Sequence, residues 1–264
     1  MMPMRLVIYL DYEECANLLI CICCLADRRN ICGAGSWKII SGSQDVTAPM
    51  LIVSMTVFSV AVLLVFLLTK WSVVSKQYIR TRPWGVLFWC VLASVGAIIP
   101  SIWLQEQLPE LPNVMGNQFE MILRNPFGYL VVGLMAPLAE EIVFRGAILR
   151  SLLKWTSRHW LAIALSALCF ALVHANPAQM PHAFLVGLLL GWMYYRTGSI
   201  IPCVTYHWVN NSVAYIMCNM MPDPDIPLIV FFNGSERAVI VALLSSLCIF
   251  IPSILQLNLR MKKG

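Results

Sequence analysis

The amino-acid sequence predicts an all-α protein, a polytopic transmembrane helical bundle of about seven to eight spans. Hydrophobic residues make up 59% of the 264-residue chain and charged residues only 12%, whereas soluble domains carry about 25% charged residues. The mean hydropathy is +0.76, and the apolar residues form separate segments close to the roughly 20 residues that cross a bilayer. The formal charge of +5 arises in a few short loops, which indicates membrane topology and no nucleic-acid partner.

Seven apolar segments approach the length of a spanning helix. They cover residues 49–69, 84–104, 127–149, 160–175, 183–195, 200–220 and 238–257. An eighth candidate, residues 15–26, is short for a span, and we weigh it equally as a span and as a signal-type apolar region. We therefore expect an N-terminal leader or additional short membrane segment (1–47), N-terminal membrane helices (48–125), a core that carries the polar motifs (126–220), and a C-terminal helix with a basic tail (221–264).

The charges of the loops predict the orientation. Counted across alternate spans, the loops rich in Lys and Arg fall on one face, and cytoplasmic loops carry this excess in membrane proteins. The basic residues are Lys70, Lys76, Arg80, Arg82, Arg150, Lys154, Arg158, Arg196, Arg260, Lys262 and Lys263. The opposite loops contain Glu106, Glu110, Glu120, Asp223 and Asp225. This pattern predicts a cytoplasmic C-terminus.

Two adjacent carboxylates, Glu140 and Glu141, interrupt the apolar segment at 127–149. An ionisable residue inside a span costs about 2.5–3.5 kcal/mol, so it indicates a function by default. Arg145 follows Glu141 by four residues, the favoured order for a helical ion pair, which predicts that Glu141 is neutralised. Glu140 points about 100° away, on the face of Pro137 and Phe144, and a desolvated carboxylate there can accept and donate a proton. The alternative is that both acids only pair with basic residues of other helices.

Two further polar motifs follow at i,i+4 spacing. Phe170 and His174 lie near the end of one apolar segment, and His207 and Asn211 share a face of a later one. Two hydrogen-bonding groups on one face can donate together to a developing oxyanion. The alternatives are an interfacial His174 bonded to a loop carbonyl, and interhelical hydrogen bonding by His207 and Asn211. Together, the three patches on three helices predict a site able to add water to a peptide carbonyl.

The predicted boundaries leave these two histidines at different depths. His174 lies near the outer end of its segment, and His207 lies about seven residues from the inner end of its own. At 1.5 Å per residue, the mismatch is about 10 Å, which tilt, different helix boundaries or a water-filled cavity would reconcile. His182 follows Pro181 at the start of a segment and matches no motif, so we expect it at the membrane interface.

The motifs Glu140-Glu141-x-x-x-Arg145, Phe170-x-x-x-His174 and His207-x-x-x-Asn211, in this order, resemble the CPBP family. This is the CAAX-protease and bacteriocin-processing (Abi) group of intramembrane endopeptidases. The resemblance covers about residues 127–220 and implies that 126–220 is a CPBP-like catalytic core. It implies that Glu140 and His174 activate a water, and that His207 and Asn211 stabilise the oxyanion. Glu141, Arg145 and Phe170 would support the site.

The cofactor stays open at this point, because members of the family are described both as metalloproteases and as glutamate-dependent hydrolases. If a metal is bound, the expected ion is Zn²⁺ held by Glu140, His174 and His207, three ligands with an open fourth position. The sequence contains no HExxH motif, and the one CxxC spacing among its ten cysteines, Cys21 to Cys24, lies outside the three motifs. The position of Asn211 beside His207 suits a hydrogen-bonding pair and favours a site without metal.

The expected activity is hydrolysis of a peptide bond in a membrane-associated peptide or protein. The resemblance implies a substrate in the lipid bilayer, lipidated in the C-a-a-X case, and a location in a bacterial plasma membrane. One alternative is a catalytically silent bacteriocin-immunity or scaffold protein that binds a membrane partner. Another is a transporter in which the buried Glu and His residues relay protons, although no internal repeat supports it.

Overall fold

The computed structural model describes residues 47–72, 74–221 and 226–262. In these ranges every regular element is a helix, which confirms the predicted all-α fold class. The predicted short membrane segment at 15–26 and nearly all of the leader at 1–47 lie outside the described residues.

The described residues form ten helices. They are α1 (Ala48–Leu68), α2 (Lys76–Arg80), α3 (Trp84–Glu106), α4 (Gly116–Leu123), α5 (129–155), α6 (His159–Val173), α7 (Met180–Thr197), α8 (Ile201–Met220), α9 (Leu228–Phe231) and α10 (Glu236–Arg260). Seven of them, all except the short α2, α4 and α9, coincide with the seven predicted apolar segments.

The predicted count of seven to eight spans is not confirmed. Within the described ranges, three helices, α1, α3 and α10, are long and apolar enough to cross a membrane. Helix α6 is apolar but has only 15 residues, or about 22 Å, less than the roughly 30 Å hydrocarbon core. Helices α5 and α8 carry charged and amide side chains of the polar motifs, and α7 carries His182 and Arg196. Apolar residues on three long helices nevertheless make the chain an integral membrane protein.

Local sequence signals set the helix ends that position the core. Ser235 caps α10, because its hydroxyl accepts a hydrogen bond from the Ala238 amide. Gly198 ends α7 in the left-handed region (φ 66°), and its N–H donates to the Tyr194 carbonyl. This glycine turn brings α8 back beside α7, with Pro202 in the first turn of α8.

Hydrogen bonds join the loops at each end of the bundle. At one end they are Gln105 Nε2 to the Ala178 carbonyl (3.1 Å), the Val114 amide to Asn176 Oδ1 (3.1 Å), Arg124 to the Met221 carbonyl (3.2 Å) and the Leu228 amide to Glu106 (2.6 Å). At the other end, Arg196 donates to the Asn258 carbonyl at 2.7 Å. We call the first the acidic end and the second the basic end. The long helices run alternately between them, as the loop charges predict.

Small residues let the helices pack closely. Helix α10 packs along α3, and a Cβ placed on Gly96 would lie 2.7 Å from the backbone nitrogen of Phe250. Helix α7 packs along α6, and a Cβ on Gly187 would lie 2.9 Å from the Ala167 Cβ. Close backbone approach through small residues is typical of helix packing in membranes, and at Gly187 it holds two helices of the polar core together.

We expect Gly187→Ala to destabilise the protein by about 1–3 kcal/mol, because the added methyl group would force α6 and α7 apart. Thermal unfolding of the purified protein in detergent measures this change. Leu185→Ala is the matched control, since Leu185 is on the same helix and is 46% exposed. Equal unfolding temperatures for Gly187→Ala and the unmodified protein would contradict the close approach.

Candidate active site

Helix α5 widens on both sides of its two carboxylates. Its sections Tyr129–Met135 and Ile142–Leu149 have π-helical hydrogen bonding, and they flank an α-helical section, Ala136–Glu141. At the first junction, the Ala136 amide donates to the carbonyl of Val131, five residues back. Wider turns of this kind are frequent at functional sites. Here they set the direction in which the two glutamates leave the helix.

The Glu141 side chain is completely buried and ion-paired. Its Oε1 accepts a hydrogen bond from Arg145 Nη1 at 2.7 Å, and both side chains are at most 1% exposed. The Arg145 Nη2 also donates to the Gly187 carbonyl of α7 at 3.3 Å. The predicted i,i+4 ion pair is therefore confirmed. It serves as a buried anchor for groups of other helices, because both partners also hydrogen-bond across the bundle.

His207 reaches this anchor from α8. Its Nδ1 lies 2.8 Å from Glu141 Oε1, and because an ionised carboxylate only accepts hydrogen bonds, Nδ1 carries the hydrogen. Its Nε2 lies on the other side of the ring, 3.8 Å from Glu140 Oε2. Glu141 therefore fixes both the tautomer and the direction of the ring, and it presents Nε2 to Glu140.

His174 is held in the same way by a backbone carbonyl. Its Nδ1 lies 2.8 Å from the Phe170 carbonyl, which only accepts, so Nε2 is the basic nitrogen of the neutral ring. This bond matches neither an isolated interfacial histidine nor a loop contact, since Phe170 belongs to the same helix. The structure therefore orients both imidazoles, with the Nδ1 positions occupied and the Nε2 positions directed elsewhere.

The depth mismatch expected from the sequence is removed by the structure. Helix α6 ends at Val173, earlier than predicted, and the His174 ring turns back by one helical turn towards Phe170. The ring centroids of His174 and His207 lie 4.9 Å and 5.8 Å from that of Phe170. Both imidazoles therefore border one aromatic ring, at the level of a single helical turn.

Phe170 fills the centre of this cluster. The Arg145 guanidinium carbon lies 4.5 Å from the centroid of its ring, a cation–π arrangement, and Phe144 packs edge-on at 5.1 Å. The Ser166 hydroxyl of α6 donates to the Phe144 carbonyl at 3.1 Å. Phe170 thereby keeps the cation of the ion pair and the two imidazoles at fixed separations.

Asn211 shares the face of His207 but has a partner of its own. Its Nδ2 donates to the Val132 carbonyl in the first π-helical section, at 2.9 Å. This is an interhelical hydrogen bond of the kind weighed as its alternative role, and it uses one of the two amide hydrogens. A part for the second hydrogen in stabilising an oxyanion stays a prediction.

A zinc site needs suitable donor atoms at suitable spacing, and Glu140, His174 and His207 meet the first requirement only. The tautomers suit metal binding, because ligating histidines usually donate their other N–H to a carboxylate or carbonyl. The spacing does not. In the described parts of the chain, no three His, Cys, Asp or Glu side chains are grouped closely enough to hold a metal ion. Glu140, His174 and His207 are thus not grouped as a zinc ligand set in the described residues. The zinc site stays a prediction, and no reaction step below passes through a metal.

His182 lies nearer to the site than the sequence indicated. It is partly buried in the first turn of α7 and lies within electrostatic range of His174 and His207. The sequence placed it at the interface because it belongs to no i,i+4 motif. Its proximity depends on the loop between α6 and α7, which folds the start of α7 back over the end of α6. Ser166 was also missed, because a lone serine in an apolar segment gives no signal.

The site thus holds the partly buried Glu140 carboxylate beside the oriented His207 imidazole, and the imidazole of His174 borders the same aromatic ring. Residues 123–213, about a third of the chain, match the family model described as type II CAAX prenyl endopeptidase Rce1-like. The matched segment contains all seven residues of the three motifs. The match over this segment confirms the resemblance to the CPBP (CAAX-protease) family of intramembrane endopeptidases. No curated protein and no solved structure matches the chain.

Proposed function

We propose that this protein is an intramembrane endopeptidase, which hydrolyses a peptide bond in a membrane-associated peptide or protein. The observation that carries the proposal is the pairing of Glu140 Oε2 with His207 Nε2 at 3.8 Å. The Glu140 side chain is 13% exposed, whereas Glu141 is fully buried. Only the first carboxylate is accessible to water, and the second holds the imidazole.

In the proposed reaction Glu140 is the general base. Its carboxylate takes a proton from a water molecule, which the Nε2 of His174 helps to position, and the water oxygen bonds to the scissile carbonyl carbon. The carbonyl electrons move to its oxygen. When the tetrahedral intermediate collapses, the C–N bond breaks and Glu140 returns the proton to the leaving nitrogen. Water is thus consumed, and one new carboxyl and one new amine are formed.

The oxyanion is proposed to receive hydrogen bonds from His207 Nε2–H and from the remaining amide hydrogen of Asn211. Because His207 Nδ1–H donates to Glu141, the ring donates at Nε2 only as an imidazolium. Two carboxylates flank that ring, at 2.8 Å and 3.8 Å. Glu141 is proposed to support the reaction by orienting His207.

The substrate class follows from the location of the site and from the matched family. The site is inside a helical membrane protein, and the family description names a prenyl endopeptidase. We propose a substrate held at the membrane, with a lipidated peptide as the first candidate. The match to an endopeptidase model favours hydrolysis over the catalytically silent immunity or scaffold protein. If the protein were a catalytically silent immunity or scaffold protein, its binding to a membrane partner would persist in the Glu140→Gln variant.

Cleavage of a lipidated-peptide library by the purified protein in detergent tests the proposal. Mass spectrometry of reactions run in H₂¹⁸O should show one ¹⁸O atom in the new carboxyl group, since water is the nucleophile. We expect turnover to survive a zinc chelator, because Glu140 and the two histidines are not grouped as a ligand set. Loss of activity in the chelator, with recovery on adding Zn²⁺, would assign a metalloprotease. Cleavage products without ¹⁸O would contradict hydrolysis by water.

We also propose that the basic end faces the cytoplasm of a bacterial cell and that the protein lies in the plasma membrane. The positive-inside pattern supports this orientation. In intact cells, a membrane-impermeant maleimide should label Glu110→Cys, in the loop at the acidic end, but not Lys262→Cys, at the basic end. Permeabilised cells should label both, and the unsubstituted chain gives the background. Labelling of Lys262→Cys alone in intact cells would reverse the orientation.

A further inference from the structure

A groove lies at the basic end, where the first turn of α3 meets the last turn of α10. It is lined by Pro83, Gly85, Val86, Leu259, Arg260 and Lys262 and has a volume of about 370 Å³. This volume falls within the roughly 300–1,000 Å³ of small-molecule sites. The groove is separate from the candidate active site, which lies midway along the bundle between α5, α6 and α8.

The cations of this groove are aimed at it by the surrounding structure. Arg260 lies over Gly85, with Nη1 3.5 Å from the position of a Cβ on that glycine. Its Nε donates to Gln256 Oε1 at 2.9 Å, one turn earlier on α10, which fixes the guanidinium. A different residue, Arg196, donates hydrogen bonds to the carbonyls at the end of α10, those of Asn258 at 2.7 Å and Met261 at 3.4 Å. Arg260 and Lys262 are therefore not needed as caps of their own helix.

No acidic side chain of the described chain faces these cations. Apart from the Glu140 and Glu141 pair in the middle of α5, the described acids are Glu106, Glu110, Glu120 and Glu236, all at the acidic end. Glu106 and Glu236 lie at the far ends of the two helices that form the groove, α3 and α10. The described acids therefore do not neutralise the positive charge of the groove.

The flanks of the groove are apolar and face outward. Trp84 is 69% exposed and Leu259 is 68% exposed, next to the lining residues of α3 and at the end of α10. Exposed tryptophan is typical of the boundary between hydrocarbon and headgroups. A ligand of this groove therefore meets cations at its anionic part and apolar side chains beside it.

We propose that the groove binds the phosphate headgroup of an anionic phospholipid, with the acyl chains running along the exposed apolar surface of α3 and α10. A phosphate between Arg260 and Lys262 also lies at the N-terminal end of α3, where the helix dipole favours negative charge. A lipid satisfies the cations and the apolar flanks together, whereas a free phosphate satisfies only the cations. This proposal does not depend on the proposed hydrolysis.

Native mass spectrometry of the purified full chain, with equal amounts of phosphatidylglycerol and phosphatidylcholine in the detergent, tests the site. We expect phosphatidylglycerol adducts to predominate. Arg260→Gln combined with Lys262→Gln should lower them by about fivefold for each cation removed. Lys154→Gln combined with Arg158→Gln is the matched control, because it removes two exposed cations of the same end outside the groove and should leave the adducts unchanged.

The controls distinguish binding in the groove from a general attraction of anionic lipids to the basic end. Equal losses of adducts in the groove variant and in the control variant would overturn the proposal, and so would equal binding of the two lipids. Displacement of phosphatidylglycerol by inorganic phosphate at low millimolar concentration would assign the groove to free phosphate and would also overturn it. Unfolding temperatures of both variants, measured without added lipid, show whether a loss of adducts reflects lost folding. If the double variant misfolds, the single variant Lys262→Gln is measured instead, and we expect about fivefold fewer phosphatidylglycerol adducts.

Discussion

Glu140→Gln is expected to abolish turnover while leaving the protein folded and inserted. The amide has nearly the shape of the carboxylate but cannot accept the proton of the attacking water, and loss of a general base lowers rates by about 100-fold to 10,000-fold. The buried anchor formed by Glu141 and Arg145 is unchanged, so the unfolding temperature should stay close to that of the unmodified protein. The initial rate of peptide cleavage and thermal unfolding measure the two effects.

Glu110→Gln is the control for Glu140→Gln. Both substitutions remove one carboxylate, but Glu110 is exposed in the loop between α3 and α4 and belongs to none of the three motifs. We expect the control to keep full activity. A Glu140→Gln variant that cleaves at the unmodified rate would exclude Glu140 as the base, whatever its stability.

The second large effect is expected from Arg145→Met. This change leaves the Glu141 carboxylate buried without its cation, and breaking a buried pair by removing one partner costs about 3–5 kcal/mol. The methionine side chain also loses the hydrogen bond to Gly187 and the contact with the Phe170 ring. We expect a large drop in unfolding temperature and a low yield of folded protein. Thermal unfolding in detergent measures the loss.

The exposed ion pair between Glu120 and Arg124 is a control of the same type. It is also an i,i+4 pair, at 3.2 Å, but its side chains are 35% and 49% exposed. Arg124→Met removes this pair and an exposed hydrogen bond to the Met221 carbonyl, so it should cost less than about 2 kcal/mol. Similar losses for Arg124→Met and Arg145→Met would contradict a special role for burial.

The double variant Glu141→Gln, Arg145→Met separates stability from activity. Replacing both buried charges by neutral side chains removes the unpaired carboxylate, so we expect most of the stability lost in Arg145→Met to return. Activity should stay low, because the carboxylate that accepts the hydrogen bond of His207 Nδ1 and orients the ring is lost. Recovery of both stability and full turnover would show that Glu141 has only a structural role.

The sequence predicted best those features that depend on the residues of a single helix. Apolar segments gave the seven long helices to within a few residues, apart from the C-terminal extension of α5 to residue 155. The i,i+4 spacing gave the ion pair of Glu141 and Arg145, because i,i+4 side chains are neighbours on any α-helix. The same rule placed His207 and Asn211 on one face, although it could not show that Val132 occupies the Asn211 amide.

Contacts between helices could not be predicted from the sequence. The bond between His207 and Glu141 spans 66 positions, and it decides which imidazole nitrogen faces Glu140. Likewise, the approach of His182 to the site depends on how the loop after α6 folds back, which no local pattern encodes. The span count was not confirmed for a related reason. Helices that wrap a polar interior have fewer apolar residues than lipid-facing ones, and hydropathy alone does not distinguish a short span from a shielded helix.

The most direct test of the central claim compares the unmodified protein and Glu140→Gln in one assay, on the same lipidated-peptide library in H₂¹⁸O. The account predicts that the unmodified protein releases products with one ¹⁸O in the new carboxyl group and that Glu140→Gln, equally folded, releases none above background. Labelled products at equal rates from both proteins would contradict it, because water would then be activated without Glu140.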